Sequence, residues 1–396
     1  MTGTVPKGYK QTEVGVIPEE WVVAELGTTC TQVTTGKLDV NAMTPNGQYN
    51  FYTCARDYYQ IDTYAFDTEA LLVSGNGANV GYIHYYKGKF NAYQRTYVLS
   101  GFVDSIKYVQ HYMGRNLSER IRVEVNAGNT PYITRGTLTE MKIALPPTKA
   151  EQEAIAEALS DVDALIASLD KLIAKKRDLK QAAMQELLTG KKRLPGFSGE
   201  WEVKRLGDCL ISRPDYGINA PAVPFSDRLP AYIRITDISE DSRFSPEKLV
   251  SVRAANAGNY YLGDGDLVFA RTGASVGKSY LYNPLDGRLV FAGFLIRVRP
   301  DPAILIPAFL AAYATTDAYW NWVRLMSMRS GQPGINGNEY AQLPISLPSI
   351  PEQTAIAAVL SDMDAGIAAV ERKRDKTRAL KQGMMQELLT GKTRLV

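Results

Sequence analysis

The chain has 396 residues, 45% of them hydrophobic and 22% charged, which is typical of a folded globular protein and unlike a disordered or membrane-spanning one. Its length suggests two or three domains. The formal net charge of +3 permits nucleic-acid binding without indicating it.

The few cysteines and histidines argue against disulfide bonds and metal sites. Cys30, Cys54 and Cys209 are scattered and odd in number, as expected in a reducing cytoplasm. His84 and His111 lie far apart in sequence, so no metal-ligand spacing is visible. The N-terminus carries no apolar segment of the secretory type. The sequence therefore predicts a cytoplasmic protein that holds no metal.

In chain order, the first element is an arm rich in Gly, Pro and Thr that is predicted to be extended. From Trp21 onwards, short apolar and aromatic runs alternate with turn signals, and one helical stretch at residues 104–123 interrupts them. Residues 201–347 repeat this order in a different sequence, with a helix near residues 308–326. The pattern predicts an α+β or α/β fold built largely on antiparallel sheets.

The longest apolar stretch, residues 303–322, is not a membrane span. Pro307 and Asp317 interrupt it, whereas a spanning helix needs about 20 consecutive apolar residues. We expect a buried helix there.

The most informative feature is a duplication. Residues 151–194 reappear as residues 352–395, shifted by 201 positions, and 27 of the 44 aligned positions are identical. A repeat this far apart is not a solenoid, whose period would be about 20–50 residues. The chain is therefore two copies of one large unit, and each copy ends in the same long helix.

Both copies carry apolar residues at a spacing of seven, in two rows that lie four residues apart. A seven-residue repeat is the pattern of a coiled-coil seam. Each segment starts after a proline, Pro147 or Pro351, and ends at a glycine, Gly190 or Gly391. The rows are Ile155, Leu159, Val162, Ile166, Leu169 and Ile173 in the first copy, and Ile356, Leu360, Met363, Ile367 and Val370 in the second.

A lone heptad helix usually pairs with a second chain, but two matching helices in one chain can pair with each other. We expect an antiparallel pair, because the chain forms the second globular domain after the first helix and then returns along the second. About 40 residues at 1.5 Å each give a helix about 60 Å long. The sequence is a cyclic repeat cut at one junction, which predicts pseudo-twofold symmetry.

These patterns divide the chain into five parts. They are an N-terminal arm at residues 1–20, a first globular domain at 21–147, a first long helix at 148–190, a second globular domain at 191–349 and a second long helix at 350–396.

Short landmarks recur in both globular domains, although the domains otherwise differ. They are Glu20-Trp21 with Leu26-Gly27 and Glu200-Trp201 with Leu206-Gly207, the glycine-rich segments Gly77-Ala-Asn-Val-Gly81 and Gly273-Ala-Ser-Val-Gly277, and the Leu-Pro pairs Leu145-Pro146 and Leu347-Pro348.

In this duplicated order, together with the Glu-Gln-x-x-Ile start and the Gln-Glu-Leu-Leu-Thr-Gly-Lys end of each helix, the chain resembles the specificity subunit of type I restriction–modification systems. The resemblance covers nearly the whole sequence. One departure concerns residues 129–134, Asn-Thr-Pro-Tyr-Ile-Thr, whose counterpart at 332–336 is Gln-Pro-Gly-Ile-Asn. The sequences give no reason to expect the same contacts in both loops.

The resemblance implies a non-catalytic, sequence-specific DNA-binding subunit. Each globular domain would be a target recognition domain for one half of a bipartite site, and the helices would set the spacer and dock two methyltransferase subunits. S-adenosylmethionine, ATP and Mg²⁺ are expected on partner subunits only. Up to two restriction subunits, which are motor–nucleases, would complete the complex and cut unmodified DNA.

Base recognition needs Arg, Lys, Asn and Gln at groove edges. For each single residue a solvated surface role is the alternative. Aromatic residues near the first set, Tyr58, Tyr59 and Tyr93, are interpreted as core residues. The candidates are Arg56, Asn76, Asn79, Gln94 and Arg95 in the first domain, and Arg234, Arg271, Ser275, Lys278, Arg329, Gln332 and Asn336 in the second.

Catalytic motifs are incomplete. The segment Gly273 to Ser279 is one residue short of a P-loop, and a strand-like run follows where a helix is required. Asn283-Pro284 lacks the second proline and the aromatic residue of an adenine methyltransferase motif. Two other functions stay open on the sequence alone: a coiled-coil adaptor that does not bind DNA, and a stand-alone DNA-binding regulator.

Overall fold

The structure is a computed structural model that describes residues 5–124, 131–329 and 331–395. It divides into two compact units. The first consists of Met1–Lys171 with Glu371–Val396, and the second consists of Leu172–Val370. Both long helices therefore contribute to both units.

The first unit is built on a six-stranded sheet with the strand order β4-β9-β7-β8-β5-β6. All neighbours are antiparallel except β5 and β8, which confirms the predicted largely antiparallel sheet. The strands are β4 (Cys30–Thr35), β5 (Tyr49–Tyr52), β6 (Tyr59–Ile61), β7 (Phe66–Ser74), β8 (Ile83–Ala92) and β9 (Thr96–Phe102).

Strand β7, in the middle of the sheet, shows why this sequence forms a sheet that is buried on both faces. Side chains alternate between the faces of a strand. Leu71 and Val73 therefore enter the main core beneath the helices, whereas Ala70 and Leu72 pack against a second cluster around Tyr52. A continuous apolar run is the expected pattern for such a strand.

Smaller elements complete the first unit. The N-terminal arm, predicted to be extended, forms two extended strands, β1 (Tyr9–Thr12) and β2 (Gly15–Pro18), which pair as a hairpin because Gly15, at φ +106°, permits the tight turn. The predicted helix at 104–123 is present as α2 (Ile106–Glu124). The remaining elements are the pair β3 (Val22–Glu25) with β10 (Lys142–Leu145), and the helices α1 (Leu26–Thr29), α2 (Ile106–Glu124) and α3 (Arg135–Thr139).

The second unit divides its strands between two four-stranded sheets, with the orders β12-β19-β16-β17 and β13-β15-β14-β18. A separate antiparallel pair, β11 with β20, corresponds to β3 with β10. The strands are β11 (Glu202–Arg205), β12 (Asp215–Tyr216), β13 (Ala222–Pro224), β14 (Ala231–Ile233), β15 (Val250–Val252), β16 (Leu267–Ala270), β17 (Ser279–Leu281), β18 (Leu289–Phe291), β19 (Leu295–Val298) and β20 (Pro344–Leu347).

The single helix predicted near residues 308–326 is two helices, α5 (Pro307–Tyr313) and α6 (Asp317–Met326). Thr316 begins the second one as its N-cap, accepting a hydrogen bond from the Tyr319 N–H, and this cap separates the two. A third short helix, α7 (Gly337–Ala341), precedes β20.

The long helices are α4 (Lys149–Leu187) and α8 (Ile350–Leu388). Their segments run antiparallel in the first unit, because Asp163 pairs with Lys381, while Asp170, further along α4, pairs with Arg374, earlier in α8. In the second unit Lys180 of α4 pairs with Asp364 of α8 at 2.7 Å, while a Cβ atom at Gly366, later in α8, would lie 3.6 Å from Nζ of Lys176, earlier in α4. The predicted antiparallel pairing is therefore confirmed within each unit.

Across the described residues, no helix has the length and apolarity needed to cross a membrane. The same residues contain no group of three or more His, Cys, Asp or Glu side chains that could hold a metal ion.

Candidate nucleic-acid interface

A glycine turn, residues 77–81, joins β7 to β8 in the first unit. Both terminal glycines have positive φ, +77° at Gly77 and +81° at Gly81, which side-chain-bearing residues rarely adopt. The Gly81 N–H donates to the Ser74 carbonyl at 2.8 Å, and the Val80 N–H donates to the Gly77 carbonyl at 3.1 Å. Backbone geometry therefore requires glycine at both ends of the turn.

The second unit contains the same turn at residues 273–277. The φ angles of Gly273 and Gly277 are +70° and +89°. The Gly277 N–H donates to the Ala270 carbonyl at 2.9 Å, and the Val276 N–H donates to the Gly273 carbonyl at 3.1 Å. Two domains with different sequences thus each contain a turn with the same backbone conformation and hydrogen bonds.

The loops that differ most in sequence make the same backbone contacts. The Gly77 N–H donates to the Pro131 carbonyl, and the Gly273 N–H donates to the Pro333 carbonyl, both at 3.0 Å. The neighbouring backbone bridges are equivalent too, Asn76 with Tyr132 and Thr272 with Gly334. The difference in sequence gives no reason to expect equivalent contacts, yet the backbone contacts of the two loops are equivalent from residue 131 onwards; residues 128–130 lie outside the described residues. Backbone hydrogen bonds do not depend on the side chains that differ.

Three of the first unit's candidate residues lie within or beside its glycine turn. The Arg56 Nε–H donates to Asn79 Oδ1 at 3.4 Å, and Asn79 Nδ2–H donates to the Cys54 carbonyl at 3.0 Å. Asn76 precedes the turn and forms a backbone bridge with Tyr132. These hydrogen bonds position the Asn79 amide and leave most of the Arg56 guanidinium exposed.

Gln94 and Arg95 reach the same place from the connection between β8 and β9. The Gly75 N–H donates to the Arg95 carbonyl at 2.8 Å, immediately before the glycine turn. Both side chains are exposed, and Gln94 Nε2–H donates to Asp39 Oδ2 at 3.4 Å. The structure therefore brings the five candidates of the first unit to one end of its sheet.

In the second unit, Arg271 lies directly before the glycine turn. Its guanidinium carbon is 4.9 Å from the centroid of the Tyr216 ring, within cation–π range. The Tyr216 hydroxyl accepts a hydrogen bond from the Gly337 N–H at 2.9 Å, which fixes the ring. Ser275 lies within the turn, and Gln332 lies beside Gly273 with its side chain exposed.

The other four candidates of the second unit are engaged within the protein. Arg234 makes a bidentate pair with the buried carboxylate of Asp237, which raises the pKa of Arg234. Lys278 pairs with Glu240 at 2.7 Å. A guanidinium or ammonium group that is already neutralised is a weaker ligand for DNA. DNA contact by Arg234 and Lys278 therefore stays a prediction, and the alternative is that both residues only stabilise the domain through these ion pairs.

Arg329 and Asn336 both support α7. Arg329 pairs with Glu339, and the Asn336 side chain is the N-cap that accepts a hydrogen bond from the Glu339 N–H. Thr134 caps α3 at the corresponding place in the first unit. An N-cap of this kind contributes about 1 kcal/mol to stability, so selection for helix formation explains Asn336 without DNA.

The aromatic residues assigned to the core divide into two groups. Tyr58 and Tyr59 are 53% and 41% exposed, so the core interpretation is wrong for them, whereas Tyr93 is partly buried. Tyr59 begins β6 and Tyr58 directly precedes it, and β6 lies at the edge of the sheet with β5 as its neighbour. Exposed rings near the glycine turns, Tyr132 and Tyr216, were not singled out from the sequence, because exposure is not visible in it.

The copied Glu-Gln pairs form the next feature, the helix joint, which sequence reasoning did not assign. Gln152 donates to the Pro146 carbonyl and accepts from the Ser105 N–H at 2.9 Å. Gln353 donates to the Pro348 carbonyl and accepts from the Ile306 N–H at 2.9 Å. These four hydrogen bonds, two from each glutamine side chain, tie the start of each long helix to its own globular domain.

The glutamates complete the helix joint. Glu151, whose side chain is 1% exposed, binds the Arg394 guanidinium, and the same partner raises the pKa of Arg394. Glu352, also 1% exposed, binds Arg193 in the same way, with Nη2–H to Oε2 at 2.6 Å. The spacing of 201 residues between the two copies could have indicated this contact, since all four residues are duplicated.

Seven of the eleven side chains of the predicted heptad rows are buried and four are partly buried. Ile155 and Leu159 belong to the apolar core of the first unit, and Ile356 and Leu360 belong to that of the second. The buried residues are Ile155, Leu159, Leu169, Ile173, Ile356, Leu360 and Ile367, and the partly buried residues are Val162, Ile166, Met363 and Val370.

Taken together, two globular units that present polar side chains around one repeated turn, with copied antiparallel helices, define a protein with two related binding domains. A family model for the type I restriction modification DNA specificity domain matches residues 18–175 and 199–377. The chain belongs to this family. DNA sequence specificity is the family's role, and its members are in general non-catalytic subunits.

Individual relatives agree with this assignment. The chain is 25% identical to the EcoDI type I restriction enzyme specificity subunit of Escherichia coli over 95% of this chain and 88% of that protein. It is 24% identical to the MjaVIII specificity subunit of Methanocaldococcus jannaschii over 69% of this chain and 67% of that one.

Solved structures show the same fold. An S subunit of a type I restriction–modification system from M. genitalium matches with a TM-score of 0.62 and 16% identity, over 93% of this chain and 96% of that one. A chain from a study of complex assembly and conformational transition of the type I R-M system matches with a TM-score of 0.54 and 16% identity, over 95% and 99% of the two chains.

Proposed function

We propose that each unit recognises one half of a bipartite DNA target, so that the chain supplies the sequence specificity of a type I restriction–modification complex. The observation that carries this proposal is the glycine turn. One set of backbone hydrogen bonds recurs in both units, while the polar side chains around it differ. A constant frame with variable side chains is what reading two different half-sites requires.

Direct readout needs hydrogen-bonding side chains that are positioned but not consumed by other contacts. Around the first turn, Asn79 is held by the Cys54 carbonyl, and Arg95 is fixed through its own carbonyl. Arg271 is supported by a tyrosine ring beside the second turn. Positioning of this kind reduces the entropy that is lost when a side chain binds a base edge.

We propose that the long helices set the spacer between the half-sites. Each has 39 residues, about 58 Å at 1.5 Å per residue. Half-sites on one face of B-DNA are about 34–36 Å apart per helical turn, which is within this length.

Two methyltransferase subunits would dock on the exposed faces of these helices. Leu179 is 54% exposed, and its copy Leu380 is 59% exposed. A large apolar side chain exposed at the same place in both copies is consistent with one docking point per methyltransferase. We further propose that S-adenosylmethionine, ATP and Mg²⁺ are held by partner subunits, up to two of which would be restriction subunits.

Methylation mapping tests this function. Cells that produce the chain with its methyltransferase subunits should carry N6-methyladenine in a split sequence of two fixed halves and an unread gap. Replacing residues 21–145 with another recognition domain should change one half and leave the other. Binding without sequence preference, or a continuous target, contradicts the proposal.

The spacer proposal has its own test. One heptad is inserted into both helices, after Lys171 and after Arg372, where neighbouring side chains are exposed. Seven residues preserve the heptad phase and add about 10 Å, roughly three base pairs of DNA rise. The gap should grow by about three base pairs while both halves stay the same. An unchanged gap contradicts the role of the helices.

A further inference from the structure

One backbone hydrogen bond next to each glycine turn places an arginine on opposite partners in the two units. In the first unit, the Gly75 N–H donates to the Arg95 carbonyl at 2.8 Å; in the second, the Arg271 N–H donates to the Phe294 carbonyl at 3.0 Å. Gly75 therefore corresponds to Arg271, and Arg95 corresponds to Phe294. Each pair contains one arginine.

The loop on the other side of this position proves the correspondence. The Ile133 N–H donates to the Gly75 carbonyl, and the Ile335 N–H donates to the Arg271 carbonyl, both at 2.9 Å. Gly75 and Arg271 thus occupy the same place between two neighbouring segments, and both lie two residues before the first glycine of the turn.

In the first unit the arginine is on the only partner that accommodates a side chain. A Cβ atom at Gly75 would lie 2.2 Å from the Arg95 carbonyl oxygen, so any larger residue there would force the backbone to move. Arg95 itself is exposed. The second unit accepts the opposite arrangement, with Arg271 partly buried and Phe294 58% exposed.

Both guanidinium groups keep their hydrogen-bonding edges. Among residues 5–124, 131–329 and 331–395, neither Arg95 nor Arg271 has a carboxylate partner. Arg234, Arg297 and Arg329 are each held by a carboxylate. The contact of Arg271 is the face of the Tyr216 ring, which supports the guanidinium plane and leaves its N–H donors available.

We propose that Arg95 and Arg271 each recognise a guanine, one in each half-site, through two parallel N–H donors directed at its O6 and N7 atoms. An arginine fork matches that edge in the major groove, and such a pair discriminates against a wrong base by about 1–3 kcal/mol. This inference rests on the proposed function. The change of partner places the two arginines on different segments of the frame, Arg95 after β8 and Arg271 after β16.

The test uses the complex of the full chain with its methyltransferase subunits. Arg271→Ala and Arg271→Lys are compared with the native chain by methylation mapping, and by binding to duplexes that carry each of the four bases at every half-site position. We expect one G·C pair of the second half-site to become degenerate, with discrimination reduced about 5- to 150-fold. The first half-site should be unaffected. Arg95 variants should show the converse.

Arg271→Lys keeps the charge and the aliphatic stem but not the fork, so it decides the matter if Arg271→Ala does not fold. Lys248→Ala, which removes an exposed charge of the same unit, is the control and should change neither half-site. A phosphate contact would instead weaken binding to all sequences equally and lower the salt slope by about one. That result, or unchanged specificity, overturns the proposal for guanine.

Failure of the proposed function looks different. A native complex that methylates no split sequence would refute the function itself. A split sequence whose specificity survives Arg95→Lys and Arg271→Lys refutes only the guanine contacts.

Discussion

The helix joint and the glycine turn are both duplicated, but different parts of them are copied. At the helix joint the side chains themselves recur: Glu151 with Arg394 in the first unit, Glu352 with Arg193 in the second. At the glycine turn only the backbone hydrogen bonds recur, and the side chains next to them differ.

The difference indicates which part of the molecule must stay the same and which part can change. Removing the cation from a buried carboxylate strongly destabilises the folded protein, so both partners of such a pair have to be retained together. A turn defined by backbone contacts imposes glycine at a few positions and leaves its neighbours open. Sequence specificity can therefore diverge at the turn without disturbing the frame.

The largest effect is expected at the helix joint. Arg394→Ala leaves the Glu151 carboxylate, 1% exposed, without its cation, and should destabilise the first unit by about 3 to 5 kcal/mol. Urea unfolding, followed by a probe in each unit, measures this. Lys392→Ala removes an exposed lysine that is 3.9 Å from Glu387 and is the matched control; its effect should stay within about 0.5 kcal/mol. Equal effects of the two variants contradict a structural role for the copied pair.

A smaller effect is expected on the pH dependence of stability, which should differ between the two units. His111 is buried, accepts or donates a hydrogen bond with Ser160 at 3.1 Å, and has Lys381, Lys107 and Asp163 near it. Burial, together with the positive charge of Lys381, lowers the pKa of His111 to about 4.

Because the folded-state pKa lies below the unfolded value of about 6.5, stability from neutral His111 is present above pH 6.5 and is lost as the pH falls towards 4. The shift corresponds to about 3 kcal/mol. Asp364 and Lys180 repeat the pair of Asp163 and Lys381 in the second unit, but the chain's other histidine, His84, belongs to the first. We therefore expect acid unfolding to begin in the first unit, and His111→Gln to flatten that dependence. A pH profile equal in both units argues against it.

The glycine turn itself should be sensitive in proportion to its packing. A Cβ atom at Gly277 would lie 2.7 Å from Val323 Cγ1, and φ is +89° there. Gly277→Ala should therefore destabilise the second unit by about 2 kcal/mol. Gly258→Ala, where nothing lies within 4 Å of the new atom and φ is not positive, is the control. Thermal unfolding compares the two, and a harmless Gly277→Ala would mean that the turn tolerates other residues.

Sequence reasoning succeeds where the signal is periodic and fails where contacts are independent of side chains. The heptads of Ile155 and Ile356 predict the helices, because apolar spacing determines which face is buried, and the return of the chain after the second globular domain predicts their antiparallel pairing. The break between α5 and α6 was missed, although Thr316 before Asp317 is a recognisable N-cap.

The candidate site was predictable only in outline. The glycine pattern locates both turns, but the backbone contacts of Pro131 and Pro333 are invisible in residues that differ. Whether the sequence can indicate that an arginine is already paired depends on the separation of the partners along the chain. Asp237 follows Arg234 by three residues, which sequence spacing can indicate, whereas Glu339 follows Arg329 by ten residues, which it cannot. Exposure of Tyr58 likewise follows from the strand order and not from the residue type.

The smallest effect on stability, and the sharpest on assembly, is expected on the exposed faces of the helices. Leu179 and Leu380 are copies of each other and are more than half exposed, so Leu179→Asp and Leu380→Asp should each change the free energy of unfolding by about 0.5 kcal/mol or less. If each leucine receives one methyltransferase, a single substitution should lower the mass of the purified complex by one subunit, and the double substitution by two. Lys149→Asp, an exposed change at the start of the same helix and far from Leu179 in sequence, controls for added negative charge. Retention of both subunits by the double variant would place docking elsewhere on the helices, while leaving the copied helix joint and the divergent turn as they are.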